Sequence, residues 1–145
     1  MRLKTGSPGP PTVAMTLDAC PGGFDDRIAA ALVELSVPAT VFASGAWIRH
    51  NPAGVAFLRA HPAVFGIENH GDRHIPPVLG VESIFGIPAA GDAAAIRREV
   101  FDGAADVRSL SGAQPGWYRA AAGFYSPAAL TAIEAWGFAI AGYSL

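Results

Sequence analysis

Bulky apolar residues alternate with small or polar ones over residues 12–18 (TVAMTLD). Val13, Met15 and Leu17 fall on one face, and Thr12, Ala14, Thr16 and Asp18 on the other. This period of two predicts a strand that buries its bulky face under helices and carries Asp18 at its C-terminal end. A loop of Cys20, Pro21 and two glycines follows, and then the period changes. Ile28, Ala31, Leu32 and Leu35 recur at helical spacing behind Asp25 and Asp26, acids suited to cap a helix start. Residues 39–43 (ATVFA) read as a second strand. Asn51-Pro52 is a cap followed by proline at the first helical position, and that helix runs to about Ala60. A third strand is expected over 64–68, then a Gly- and Pro-rich loop over 76–91. Asp92 opens the longest helix, with Ile96, Val100, Val107 and Leu110 on one face and Gly112 as its stop. A short fourth strand over 117–119, a helix from Ser126-Pro127 to Gly137 and a fifth strand over 138–143 complete the pattern.

Strand and helix alternate throughout, which predicts an α/β fold with a parallel sheet. In such folds the reactive groups gather at the C-terminal ends of the strands. Asp18, Asn69-His70 and Arg119 each end or follow a predicted strand, so all three converge on one mouth. Nothing repeats at a fixed period and no linker divides the chain. One domain is expected over residues 12–145, after an N-terminal tail over 1–11.

Composition narrows the reading further. The chain has 145 residues, of which 51% are hydrophobic and 15% charged, an ordinary globular balance. A net charge of −2 without a basic block argues against nucleic acid or an anionic membrane as partner. No apolar run approaches the ~20 residues of a membrane span. The first residues are basic but are followed by no apolar signal core. Cys20 is the only cysteine and has no internal disulfide partner.

The strongest local chemistry is Asn69-His70-Gly71-Asp72-Arg73-His74. Two histidines four apart in a polar stretch after a strand can offer two imidazoles to one metal, and the plain alternative is a surface pair. Gly71 rules out the HExxH pattern with its built-in base. A third ligand is needed, usually a carboxylate. Cys20 reads as a buried spectator thiol, Asp72 as a solvated loop acid or a partner of a ligand histidine, and Glu68 as half of a salt bridge. His50 and His61 read as structural. Trp117, Tyr118, Phe124 and Tyr125 are core aromatics or, less simply, a surface on which a sugar ring stacks.

TLD (16–18), PATVFASG (38–45), IENHGDRH (67–74), WYRAAAGFY (117–125) and WGFAIAGYS (136–144) occur in an order that resembles the polysaccharide deacetylase family. The resemblance spans residues 12–145. It implies a distorted (β/α) barrel, here with about five strand–helix units, and one divalent metal, commonly Zn2+. It also implies hydrolysis of N- or O-acetyl groups on a glycan by a metal-activated water. Carried over by position, His70 and His74 match the metal-binding histidines, Asp18 the general base and Arg119 the arginine that orients it. The family's metal-binding aspartate falls on Ala19, which has no donor atom. Asp25, otherwise a helix cap, is the nearest replacement, and Asp18 itself is another. The tyrosine of the third motif falls on Ala122, whose backbone N–H can still serve an oxyanion. Ala122 and Tyr125 are thus the expected substrate contacts. The family pattern continues beyond Leu145 into an Asp/Trp pair and a late histidine acid, so the chain is expected to be truncated at its C-terminus, with open sheet edges. A glycan substrate implies the cell envelope or secretion if a signal precedes this chain. The resemblance implies a metal-dependent deacetylase; the departures favour a non-catalytic or degenerate carbohydrate-binding domain.

Overall fold

The computed structural model describes residues 13–143. The tail expected over 1–11, Thr12 of the first strand, and Ser144 and Leu145 lie outside the described residues. Strand β1 (Met15–Ala19) leads through the Cys20 loop into helix α1 (Asp26–Glu34), then β2 (Ala39–Ala43), α2 (Gly45–His50), α3 (Pro52–Ala60) and β3 (Phe65–Asn69). A small hairpin, β4 (Ser83–Ile84) and β5 (Ile87–Pro88), precedes the long α4 (Ala93–Ser111). Strand β6 (Trp117–Tyr118), a 3-10 turn (Ala121–Gly123), α5 (Pro127–Ala135) and β7 (Ala139–Ile140) complete the described chain.

The main sheet is five-stranded with order β1-β2-β3-β6-β7, and all its pairings are parallel. Each strand lies beside its successor in the main sheet, with helical crossovers between them. That is the winding of a barrel built one unit at a time, and it fits a partial, distorted (β/α) barrel. Local chemistry sets the helix ends. Asp25, Ser44 and Asp92 accept N–H bonds at the starts of α1, α2 and α4, while Gly112 in a left-handed conformation (φ 77°) stops α4.

Two apolar clusters fill the space between sheet and helices. One is built on Ile96, Val100, Ala104, Tyr118 and Ile133, the other on Val41, Trp47, Leu58 and Phe65. The expected burial of β1 and α1 is corrected here. Met15 is 44% exposed, Ile28 52% and Leu35 71%, and the buried residue of α1 is Ala29. The reason is positional: among the described residues β1 pairs only with β2, so no further strand lies along its other edge. The 76–91 loop contains the β4–β5 hairpin, and α2, a helix of six residues, was not anticipated.

Candidate functional site

Helix α4 holds the histidine loop from below. Asn69, fully buried at the end of β3, accepts the Gly71 N–H (2.8 Å) and donates to the Val100 carbonyl (2.8 Å). Glu99 is 3% exposed, and its carboxylate accepts the backbone N–H of Arg73 (3.1 Å) and of Ile75 (2.9 Å). Those amides flank His74, whose backbone is left-handed (φ 63°), a conformation a non-glycine residue keeps only when its surroundings enforce it. Burial pushes the Glu99 carboxyl up, while the Ile75 and Arg73 amides pull it down.

Helix and loop meet closely at Gly71 (φ 83°) and Gly103. A Cβ on Gly103 would come within 2.3 Å of the Gly71 backbone carbon. On the other side, β2 and α2 close the loop through His70 N–H to the Ala43 carbonyl (3.1 Å), Gly45 N–H to the Gly71 carbonyl (2.9 Å) and Ala46 N–H to the Asp72 carbonyl (2.7 Å).

His70 is buried. Its Nδ1 lies 2.8 Å from the Arg119 carbonyl, which can only accept, so Nδ1 carries the proton and Nε2 presents a lone pair. That Nε2 is 3.4 Å from Cys20 Sγ. The His74 ring lies across the His70 ring, with centroids 4.9 Å apart and planes at 62°. One donor atom each from Cys20, His70 and His74 lies within 4.8 Å of the others. Burial lowers the pKa of both imidazoles, against the pull of Asp18, and so favours the neutral form that binds metals. Burial, then Asp18, pushes the Cys20 thiol up. These three side chains fit a divalent metal by donor type and by spacing.

Asp18 has different work. Arg119 Nη1 donates to one of its carboxylate oxygens at 2.7 Å, and the Tyr143 hydroxyl donates to the other. Arg119 is 3% exposed, with its guanidinium stacked between Phe42 (4.0 Å to the ring centroid) and Tyr143 (4.5 Å). It also donates to Thr16 Oγ1 (3.1 Å) and the Gly142 carbonyl (3.2 Å), while its Nε has no partner among the described residues.

Asp25 lies outside the donor cluster. It caps α1 by accepting the N–H of Arg27 (3.0 Å) and Ile28 (3.4 Å), and pairs with the Arg27 guanidinium at 2.8 Å. Arg27 holds its carboxyl down at about 2. In this structure Asp25, the expected replacement ligand, stands at the helix start instead, with its oxygens engaged by the α1 amides and by Arg27. Ala122 is exposed in the 3-10 turn with a left-handed backbone (φ 57°). Tyr125 turns inward, its ring edge-on to Tyr118 and its hydroxyl oxygen accepting the Ala120 N–H at 2.8 Å; burial lifts its pKa to about 12.

Asp72 pairs with Arg49 (2.7 Å) rather than with a histidine, and Glu68 accepts the Trp117 N–H (2.8 Å) rather than forming a salt bridge. His50 and His61 each contact the carbonyl four residues back. Sequence reasoning ranked Cys20 as a spectator and missed Glu99 and Tyr143. Two signals were present: Cys20 follows the strand-end Asp18 by two positions, and Glu99 is a charge on the Ile96–Val100–Val107 face of α4.

The molecule is thus a parallel α/β domain of partial-barrel form, with a Cys-His-His donor cluster at the strand ends. Residues 5–141 match the polysaccharide deacetylase family, and the chain belongs to it. Among curated proteins none matches significantly. Similar solved structures include a peptidoglycan N-acetylglucosamine deacetylase, Bc1960, in complex with a hydroxamate-type benzamide (TM-score 0.72, 20% identity, 90% of this chain and 56% of that one). Another is a family 4 carbohydrate esterase from Streptomyces lividans in complex with acetate (0.69, 21%, 92% and 62%). A third is a mutant of a CE4-family pseudoenzyme from Bacillus anthracis (0.67, 17%, 88% and 42%). The chain spans about half the length of these structures.

The expectation of an active deacetylase with Asp18 as general base is overturned. The donor set is Cys-His-His with no carboxylate, Asp18 is bonded at both oxygens, and the fold is shared with a pseudoenzyme, so fold alone carries no activity.

Proposed function

We propose that this chain is a non-catalytic, degenerate carbohydrate-binding domain of the polysaccharide deacetylase family, retaining a metal position at its mouth. The observation that carries this reading is the Cys20-His70-His74 donor set without a carboxylate, beside an Asp18 locked between Arg119 and Tyr143. An orienting arginine alone would suit a base, but here the Tyr143 hydroxyl occupies the oxygen that Arg119 leaves open, where a water would have to give up its proton.

Family membership supports a glycan ligand. So does an exposed aromatic pair. Phe85, at the tip of the β4–β5 hairpin, is 79% exposed and meets the exposed Phe124 ring edge-on at 5.2 Å. Phe124 follows directly on the 3-10 turn after Arg119, and an open aromatic face of this kind suits the apolar face of a sugar ring. Zn2+ suits the donors, and when bound it would polarise an oxygen of the ligand.

The test is calorimetric titration with an N-acetylglucosamine oligomer, run beside an acetate-release assay. Binding that survives chelator and His70→Ala, weakens at least tenfold in Phe124→Ala, and releases no acetate above buffer supports the reading. Absence of glycan binding, or acetate release that His70→Ala abolishes, overturns it.

A further inference from the structure

We propose that Cys20 binds the metal as a thiolate, making with His70 and His74 a nitrogen–sulfur site that takes Zn2+, Co2+ or Cd2+ and rejects Mg2+, Mn2+ and Ca2+, while Asp18 takes no part. The inference rests on the retained metal position in the functional reading and names the metal class and the third ligand.

Spacing supports it. Two ligands bound to one zinc at about 2.3 Å for sulfur and about 2.0 Å for nitrogen, at a tetrahedral angle, lie about 3.5 Å apart. Cys20 Sγ and His70 Nε2 are 3.4 Å apart. The Arg119 carbonyl fixes the His70 tautomer that leaves Nε2 open on the Cys20 side. His74 brings its donor within 4.8 Å of both and is held there by the Glu99 clamp on the amides at either side.

The carboxylates that might compete are engaged elsewhere. Asp18 is bonded to Arg119 and Tyr143, and Asp25 caps α1 and pairs with Arg27. A metal entering this cluster therefore meets two imidazoles and one thiol. As the metal–sulfur bond forms, the S–H bond breaks and its proton passes to solvent. Thiolate and imidazole favour borderline and soft ions, whereas Mg2+ and Ca2+ require oxygen ligands.

The experiment is titration of the purified chain with Co2+, followed by absorption. The expected result is one equivalent bound, with visible ligand-field bands and a near-ultraviolet thiolate-to-cobalt band. Zn2+ displaces the cobalt stoichiometrically, and a hundredfold excess of Mg2+ does not. Cys20→Ser loses the near-ultraviolet band and binds at least tenfold more weakly. Cys20→Asp, which restores a carboxylate, keeps the visible bands without the near-ultraviolet one. Asp18→Asn retains both bands and cobalt affinity within threefold. Circular dichroism establishes that each variant is folded before its spectrum is read.

A wild-type cobalt spectrum without the thiolate band, a band that persists in Cys20→Ser, loss of binding in folded Asp18→Asn, or no cobalt bound at all overturns the proposal. Glycan titration of the metal-free chain is independent of these spectra, so failure of the carbohydrate reading is distinguishable from failure of this one.

Discussion

Arg119 lies between two aromatic rings, and its guanidinium holds three oxygens at once: Thr16 Oγ1, an Asp18 carboxylate oxygen and the Gly142 carbonyl. It therefore joins β1, β6 and the segment after β7 through one planar group. Truncation strands Asp18 and empties the space between the rings. Breaking a buried ion pair from one side costs about 3 kcal/mol or more. Arg119→Ala should lose about 3 kcal/mol of stability by urea denaturation, and Arg119→Lys should recover only part of it, because an ammonium lacks the fork and the stacking plane. Asp25→Asn, by contrast, should weaken the α1 cap slightly and leave cobalt binding unchanged. A metal affinity that falls with Asp25→Asn would restore that residue to the ligand set.

Glu99 adds a pH signature at the same scale. Burial raises its folded pKa above the ordinary 4.5. The folded chain thus holds this proton to higher pH than the unfolded chain does. The group's favourable contribution is complete below about pH 4.5 and is lost as pH rises through the folded value. Urea midpoints of the metal-free chain measured in chelator from pH 4 to 7 should fall less steeply with rising pH in Glu99→Gln than in wild type. Equal slopes would mean that Glu99 does not titrate in this range.

At the scale of elements, the contact between α4 and the histidine loop is the joint on which the site depends. Gly103 is small because the Gly71 backbone lies against it, and Asn69 Oδ1 would be 2.7 Å from a Cβ there. Backbone cannot move aside as a side-chain tip can, so Gly103→Ala should lift α4 off the loop. Forced overpacking of this kind costs about 1–3 kcal/mol. Cobalt affinity should fall with it, because the Glu99 clamp moves with the helix; spectral titration checks this.

Much of this level was legible in the sequence. The span of α4 follows from Asp92 and Gly112, and β2 coincides with ATVFA, since caps, breakers and a β-branched run act locally. Helix α3 does start at Pro52 as expected, but the Asn51 side chain caps no amide of it and instead accepts the Phe24 N–H and donates to the Gly22 carbonyl. Helix α2 was not legible: GAWIRH opens on glycine and is too short for periodicity to declare itself. The strand ends were legible too, and they brought His70, His74, Asp18 and Arg119 to one mouth. What those groups touch was not, because the Cys20–His70 contact joins residues fifty positions apart and depends on which oxygens Asp18 and Asp25 have already committed.

At the scale of the whole molecule, the described sheet is open. Among the described residues, β1 and β7 are its two edges. Within β1 the alternation holds, Thr16 and Asp18 both reaching Arg119, but alternation carries no information on whether anything covers the other face or the edge. Met15 on β1 and Ile28 and Leu35 on α1 stand exposed, and Ile28 borders a cleft of about 210 Å³ together with Leu17, Phe24 and Trp47. An unpaired strand edge with apolar neighbours templates pairing with another chain, and natural sheets blunt such edges with charge, lysine above all. No lysine stands on β1 or α1. A chain of these 145 residues should therefore self-associate as its concentration rises, and its thermal unfolding should be irreversible. Met15→Lys places a charge on that edge without touching Cys20, His70 or His74. It should shift the sedimentation profile toward monomer and raise the fraction recovered after heating, with the cobalt spectrum unchanged. A wild-type chain that sediments as a monomer at all concentrations and melts reversibly would show that the edges are protected, and the β1 face would then need a cover from outside the described residues.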